Sequence, residues 1–97
     1  MNPFPSCIGI FDSGVGGLSV LKALRHELPH ENLLYFSDSA FAPYGERSDE
    51  FVINRCHFIT QNLQALGHLK AMVVACNTAT AVAIEDLRAT FPALPFI

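Results

Sequence analysis

Apolar positions along this chain change their spacing several times, and each change marks the boundary of an element. Cys7 to Phe11 is a short apolar run with the length of a buried strand, ending at Asp12-Ser13-Gly14. Beyond Val15-Gly16-Gly17 the pattern turns helical, with Leu18, Leu21, Leu24 and Leu28 on one side until Pro29 closes the helix. Asn32 to Phe36 reads as a second strand that stops at Ser37-Asp38-Ser39, and a polar loop carrying Pro43-Tyr44-Gly45 follows. Ser48 is placed to cap a second helix, Asp49 and Glu50 suit its first turn, and Gly67 suits its end. Val52, Cys56, Ile59, Leu63 and Leu66 form the stripe of that helix. Ala71 to Ala75 has the composition of a strand covered on both faces. From Thr78 the spacing is helical again, with Ala83, Ile84, Leu87 and Phe91 together, to about Arg88 or Ala89 ahead of Pro92. Leu94 to Ile97 resembles the opening of a fourth strand.

Strands alternating with helices predict an α/β fold, a parallel sheet with helices on both faces. Loops leaving the carboxyl ends of such strands gather along one edge, where ligands bind. That edge collects three polar groups: Asp12-Ser13, the loop from Ser37 to Gly45, and Cys76-Asn77-Thr78. Cys76 falls at a strand-to-helix turn, where free backbone N–H groups and the helix dipole favour an anion, either a substrate carboxylate or the cysteine's own thiolate. Cys7 and Cys56 lie within apolar patterns and are expected to pack.

Composition narrows the setting. Hydrophobic residues make up 51% of the chain and charged residues 15%, more apolar than one domain of this size requires. Residues 1–97 therefore read as a single α/β domain that is a piece of something longer, interrupted at the start of its fourth strand. The net charge is −3 and the six Lys and Arg are scattered singly, so direct nucleic-acid binding is not expected. Three widely spaced cysteines fit reduced thiols, Met1 to Cys7 carries neither a basic region nor a long apolar one, and no apolar run approaches membrane-spanning length. A cytoplasmic protein without membrane attachment is the expectation.

The glycine-rich loop invites a phosphate-binding reading, yet Ser19 stands where the dinucleotide fingerprint needs its third glycine, and Asp12 points negative charge at the site. A plainer reading has the glycines forming a tight turn while Asp12 caps the helix. No metal site is expected, because Cys56 and His57 are helix neighbours that diverge. His26, His30, His57 and His68 lie on helices or just past helix ends and are expected to face solvent. An acidic group, a thiol and small hydroxyl or amide donors, with no metal-ligand cluster, suggest proton chemistry on a small polar substrate.

Three motifs on three successive loops, FDSGVGG at Phe11 to Gly17, PYG at Pro43 to Gly45 and ACNTAT at Ala75 to Thr80, resemble the amino-terminal part of bacterial glutamate racemases, within the aspartate and glutamate racemase superfamily. The resemblance implies one of two similar α/β halves with the active site between them. It implies cofactor-independent interconversion of L- and D-glutamate, the D form serving peptidoglycan synthesis, with two cysteines facing each other across the substrate. By motif, Cys76 is similar to the cysteine acting on D-glutamate and Asp12 to the acidic residue beside it. Ser13, Tyr44, Gly45, Asn77 and Thr78, together with Asp12, match positions that hold the substrate. The family's second cysteine belongs to a region absent from this chain, and the resemblance allows a homodimer. The competing expectations are a flavodoxin-like module binding phosphate or nucleotide without racemase activity, and a structural or regulatory remnant.

Overall fold

In the computed structural model, which describes residues 6–14 and 16–97, the chain forms a three-stranded parallel sheet flanked by three helices. Met1 to Pro5, and Val15 within the glycine loop, lie outside the described residues. The elements are β1 Cys7–Asp12, α1 Gly17–Glu27, β2 Leu33–Ser37, α2 Asp49–Leu66, β3 Leu69–Val74 and α3 Asn77–Thr90. Two short 3-10 turns, Ser39–Phe41 and Tyr44–Glu46, occupy the loop between β2 and α2.

The strand order is β2-β1-β3, so β1 is central and both of its faces are covered: Ile10 and Phe11, which point to opposite sides, have no exposed surface. Phe11 pairs with Phe36 and Val74, and Gly9 with Met72. Phe11, Met72 and Val74 share one core with Val52, Cys56, Ile59 and Leu63 of α2 and with Ala79, Ala83 and Leu87 of α3. Ile10 and its partner Tyr35 point the other way, toward α1. The expected strands, helices and two-faced cover are therefore present, with crossovers that leave every β-to-α loop at one end of the sheet.

Several boundaries and faces differ from the sequence expectation. Strand β1 runs one residue further, through Asp12, and β3 starts earlier, at Leu69, because backbone pairing continues where side-chain patterning stops. Leu18 and Leu28 are exposed, so the leucine stripe of α1 is only half used over a narrow sheet. Leu66 is likewise exposed, and Thr60 takes a fully buried place in α2, its hydroxyl donating to the Cys56 carbonyl at 2.8 Å. Gly67 ends α2 with extended backbone (φ −165°) rather than a left-handed cap. The expected fourth strand is a single bridge, Met72 to Phe96, on the free side of β3; Met72 donates to the Pro95 carbonyl and Ile97 to the Met72 carbonyl.

Ser48 caps α2 as expected, its hydroxyl accepting from the Phe51 N–H at 3.1 Å. Urea unfolding should show Ser48→Ala destabilised by about 1 kcal/mol and Ser48→Gly by only a few tenths. Equal stability of all three proteins would remove the cap from the account of this helix.

Candidate active site

Hydrogen bonds continue past the ends of the strands and bring the three loops into register. The Asp12 carbonyl accepts from the Asp38 N–H at 3.0 Å, and the Phe11 carbonyl accepts from the Ala75 N–H at 2.9 Å. Between these loops lies a cleft of about 700 Å³. Ser13 and Gly16 line it from the first loop, Pro43, Tyr44 and Gly45 from the second, and Ala75, Cys76, Asn77 and Thr78 from the third. Six of the seven residues expected at the site are thus brought together.

Cys76 is the N-cap of α3, one residue closer to the helix than expected, with its sulfur accepting from the Ala79 N–H at 3.5 Å. That contact places the sulfur at the positive end of a 14-residue helix. Its thiol donates to Ser13 Oγ at 3.5 Å. Asn77 is exposed and Thr78 half-buried at the same helix start. Gly45 faces them: a Cβ on it would lie 3.9 Å from Thr78 Oγ1.

Asp12, the seventh residue, does not line the cleft. Its carboxylate is 1% exposed and turned to the α1 side, accepting from Gly14 N at 2.8 Å and from the Tyr35 hydroxyl at 2.7 Å. Burial pushes this carboxyl up, but donors from Tyr35, Gly14, Ser37 and Gly17 outweigh it and hold Asp12 below the usual carboxylate range. Gly17 has no room for a side chain, since a Cβ there would sit 1.9 Å from Asp12 Oδ2. Gly14, with φ +108°, turns the chain back over the same carboxylate. Asp12 therefore organises the loop that carries Ser13, and it already occupies N–H groups that a phosphate would need.

A second buried carboxylate, Asp38, lies in the polar loop from Ser37 to Gly45, where the sequence pattern singles out no role for it. It accepts from Arg55 Nη2 at 2.6 Å, from Arg55 Nε at 2.9 Å and from the Tyr44 hydroxyl at 2.5 Å. Tyr44 is consequently buried, lining the cleft while its hydroxyl turns away. Burial and the bond to Asp38 push that hydroxyl far up, so it stays a donor. Arg55 lies in a polar gap of the α2 stripe, and apolar spacing gave no signal for it.

The other cysteines are packed: Cys7 and Cys56 are buried, and burial pushes the Cys56 thiol up to about 12. His57 corrects the expectation of four solvent-facing histidines. It is bonded through Nε2 to Asp86 and its ring lies 5.6 Å from that of Phe91, because α2 and α3 pack side by side. Among the described residues no group of three or more metal-ligating side chains occurs, and no helix is long and apolar enough to cross a membrane.

No family model matches the chain. The glutamate racemase of Ectopseudomonas mendocina is 54% identical over 97 residues, all of this chain and 36% of that enzyme. This chain is similar to the glutamate racemases along its whole length. Glutamate racemase from Thermus thermophilus, solved with β-chloro-D-alanine, shares the fold with a TM-score of 0.86 at 48% identity, over 94% of this chain and 35% of that one. Escherichia coli glutamate racemase, solved with L-glutamate and the activator UDP-MurNAc-ala, gives a TM-score of 0.88 at 42% identity, over 98% and 35%. The chain spans about a third of the length of the curated glutamate racemases it matches. The likeness, like the carboxylate of Asp12 in the glycine loop, disfavours the nucleotide-binding reading.

Two measurements check this geometry. Iodoacetamide should label Cys76 alone in the folded chain, with Cys7 and Cys56 reacting only in denaturant; peptide mass spectrometry reads the sites, and early labelling of Cys56 would contradict the packing. For Asp12, whose folded pKa lies below its unfolded one, stabilisation is complete above the unfolded value and lost as pH falls through the folded value. Asp12→Asn should therefore be less stable than the parent at neutral pH, and the gap should close between about pH 5 and pH 2. A gap independent of pH would mean that the ionised carboxylate contributes nothing.

Proposed function

We propose that this chain forms one wall of a cofactor-independent glutamate racemase site, in which Cys76 is the base on one face of the substrate. The observation that carries this reading is the cysteine at the start of α3, half-buried in a cleft that also holds Ser13, Gly45, Asn77 and Thr78. The similarity to enzymes named glutamate racemase supports it, and so does the E. coli enzyme's complex with L-glutamate.

The chemistry follows from the donors. A proton on the carbon beside a carboxylate is weakly acidic, so its removal needs a close base and preorganised donors for the charge that spreads onto the carboxylate oxygens. The Cys76 thiolate takes the α-proton and becomes a thiol. Asn77, Thr78 and the backbone N–H groups at the start of α3, with the Tyr44-Gly45 turn opposite, hold the carboxylates of the substrate. Ser13, against the sulfur, positions it, and Asp12 sets Ser13. Inversion requires a proton delivered to the opposite face. Cys7 and Cys56 are buried and neither lines the cleft, so that second acid, a cysteine on this reading, comes from outside these residues.

On the same reading residues 1–97 are the amino-terminal half-site domain, the product D-glutamate feeds peptidoglycan synthesis in the cytoplasm, and a homodimer is one assembly open to the whole enzyme.

The test is a chimera in which this chain replaces the matching third of the Ectopseudomonas mendocina enzyme. It should racemise glutamate in both directions, and Cys76→Ser in the chimera should lose at least about a thousandfold in kcat, since a hydroxyl ionises far less readily than a thiol. Racemisation by the Ser variant near the parental rate would overturn the role given to Cys76.

A further inference from the structure

Outside the cleft, a second buried carboxylate, Asp38, is fully bonded. It is 3% exposed, and its two oxygens accept three hydrogen bonds, two from Arg55 and one from Tyr44. Its own N–H donates to the carbonyl of Asp12, and its carbonyl accepts from Phe41 N at 3.0 Å. Arg55 is held with equal care. Its guanidinium lies 4.2 Å from the ring centre of Phe41 and 4.8 Å from that of Phe58, so aromatic rings cover it while its edge meets the carboxylate.

None of Asp38, Arg55 and Tyr44 belongs to a strand. Arg55 is on α2, Asp38 begins the loop after β2, and Tyr44 sits in the turn that lines the cleft. The Tyr44 ring is buried, whereas Pro43 and Gly45 on either side are exposed to the cleft. The hydroxyl bond to Asp38 therefore ties this turn, which faces Thr78 across the cleft, to the loop after β2. A packed phenylalanine would fill the same volume without that directional tie.

We infer that Arg55 and Asp38 are positioning residues: through the Tyr44 hydroxyl they hold the Pro43 to Glu46 turn at the distance from the start of α3 that grips the substrate. This deepens the glutamate racemase reading and rests on it for the substrate. Neither Arg55 nor Asp38 lines the cleft, so the effect falls on substrate grip and leaves proton transfer at Cys76 in place.

Tyr44→Phe and Arg55→Lys are the working variants. The first removes one hydroxyl and keeps the ring; the second keeps the charge and loses the two-pronged geometry. Arg55→Met would strand a buried carboxylate and is liable to misfold. In the 97-residue chain itself, amide hydrogen exchange should quicken by about tenfold at Glu46 and Arg47, whose N–H groups bond to the Pro43 and Tyr44 carbonyls, and stay unchanged at Met72 and Ala75. In the chimera described above, each variant should raise KM for glutamate by about tenfold while kcat stays within about threefold of the parent.

A lowered melting temperature with KM and the turn's exchange unchanged would reduce the network to a structural role and overturn the inference. So would a fall in kcat at constant KM, which would move the network into the chemistry. A parental chimera inert toward glutamate would count against the racemase reading alone, since amide exchange in the chain still decides whether the network holds the turn.

Discussion

The carboxylate of Asp12, buried at the end of the central strand, is the constraint on which the candidate site depends. An ionised group with 1% exposure persists only if donors replace the water it has lost, and they come from three elements: Gly14 and Gly17 in the first loop and helix start, and Tyr35 and Ser37 on β2. Meeting that demand folds the glycine loop back on itself and draws the start of α1 against the strand. It also sends the chain through Ser13 into the cleft, within reach of Cys76. Gly17 is a consequence of this arrangement, since a side chain there would collide with the carboxylate.

Asp38 repeats the device one strand away. The partners of its carboxylate are side chains alone, an arginine and a tyrosine, and what it anchors is the turn on the far side of the cleft. The two carboxylates are linked through the backbone bond from Asp38 N to the Asp12 carbonyl. Two walls of the cleft are therefore referenced to the same strand ends, and the third, at Cys76, is tied to β1 through Ala75. The parallel sheet supplies this common frame.

Three cysteines of identical covalent chemistry show how far environment alone separates roles. Cys56 faces the core from α2, where burial and its neighbour Cys76 push ionisation up to about 12. Cys7 is also buried, and burial raises its thiol despite the nearby Lys70. Cys76 ends the approach from β3, lines the cleft and accepts a helix-start N–H. The proposed base is the thiol for which the fold provides access.

Alternating strand and helix patterns determined the order of elements, the parallel sheet and the edge on which polar loops gather, because burial of apolar side chains dominates the energy of each element and leaves its period in the sequence. The same logic placed Cys76 at a helix start, Ser48 as a cap and Cys56 in the core. Tertiary structure alone decided that Asp12 faces away from the cleft, that Tyr44 turns its hydroxyl inward, that His57 bonds Asp86, and that Leu18 and Leu66 stay exposed. Each of these depends on which groups meet across tens of residues, Arg55 with Asp38 and Tyr35 with Asp12, and such pairings leave no period along the chain. A buried polar group is placed by its partners, and only the folded arrangement brings those partners within hydrogen-bond distance.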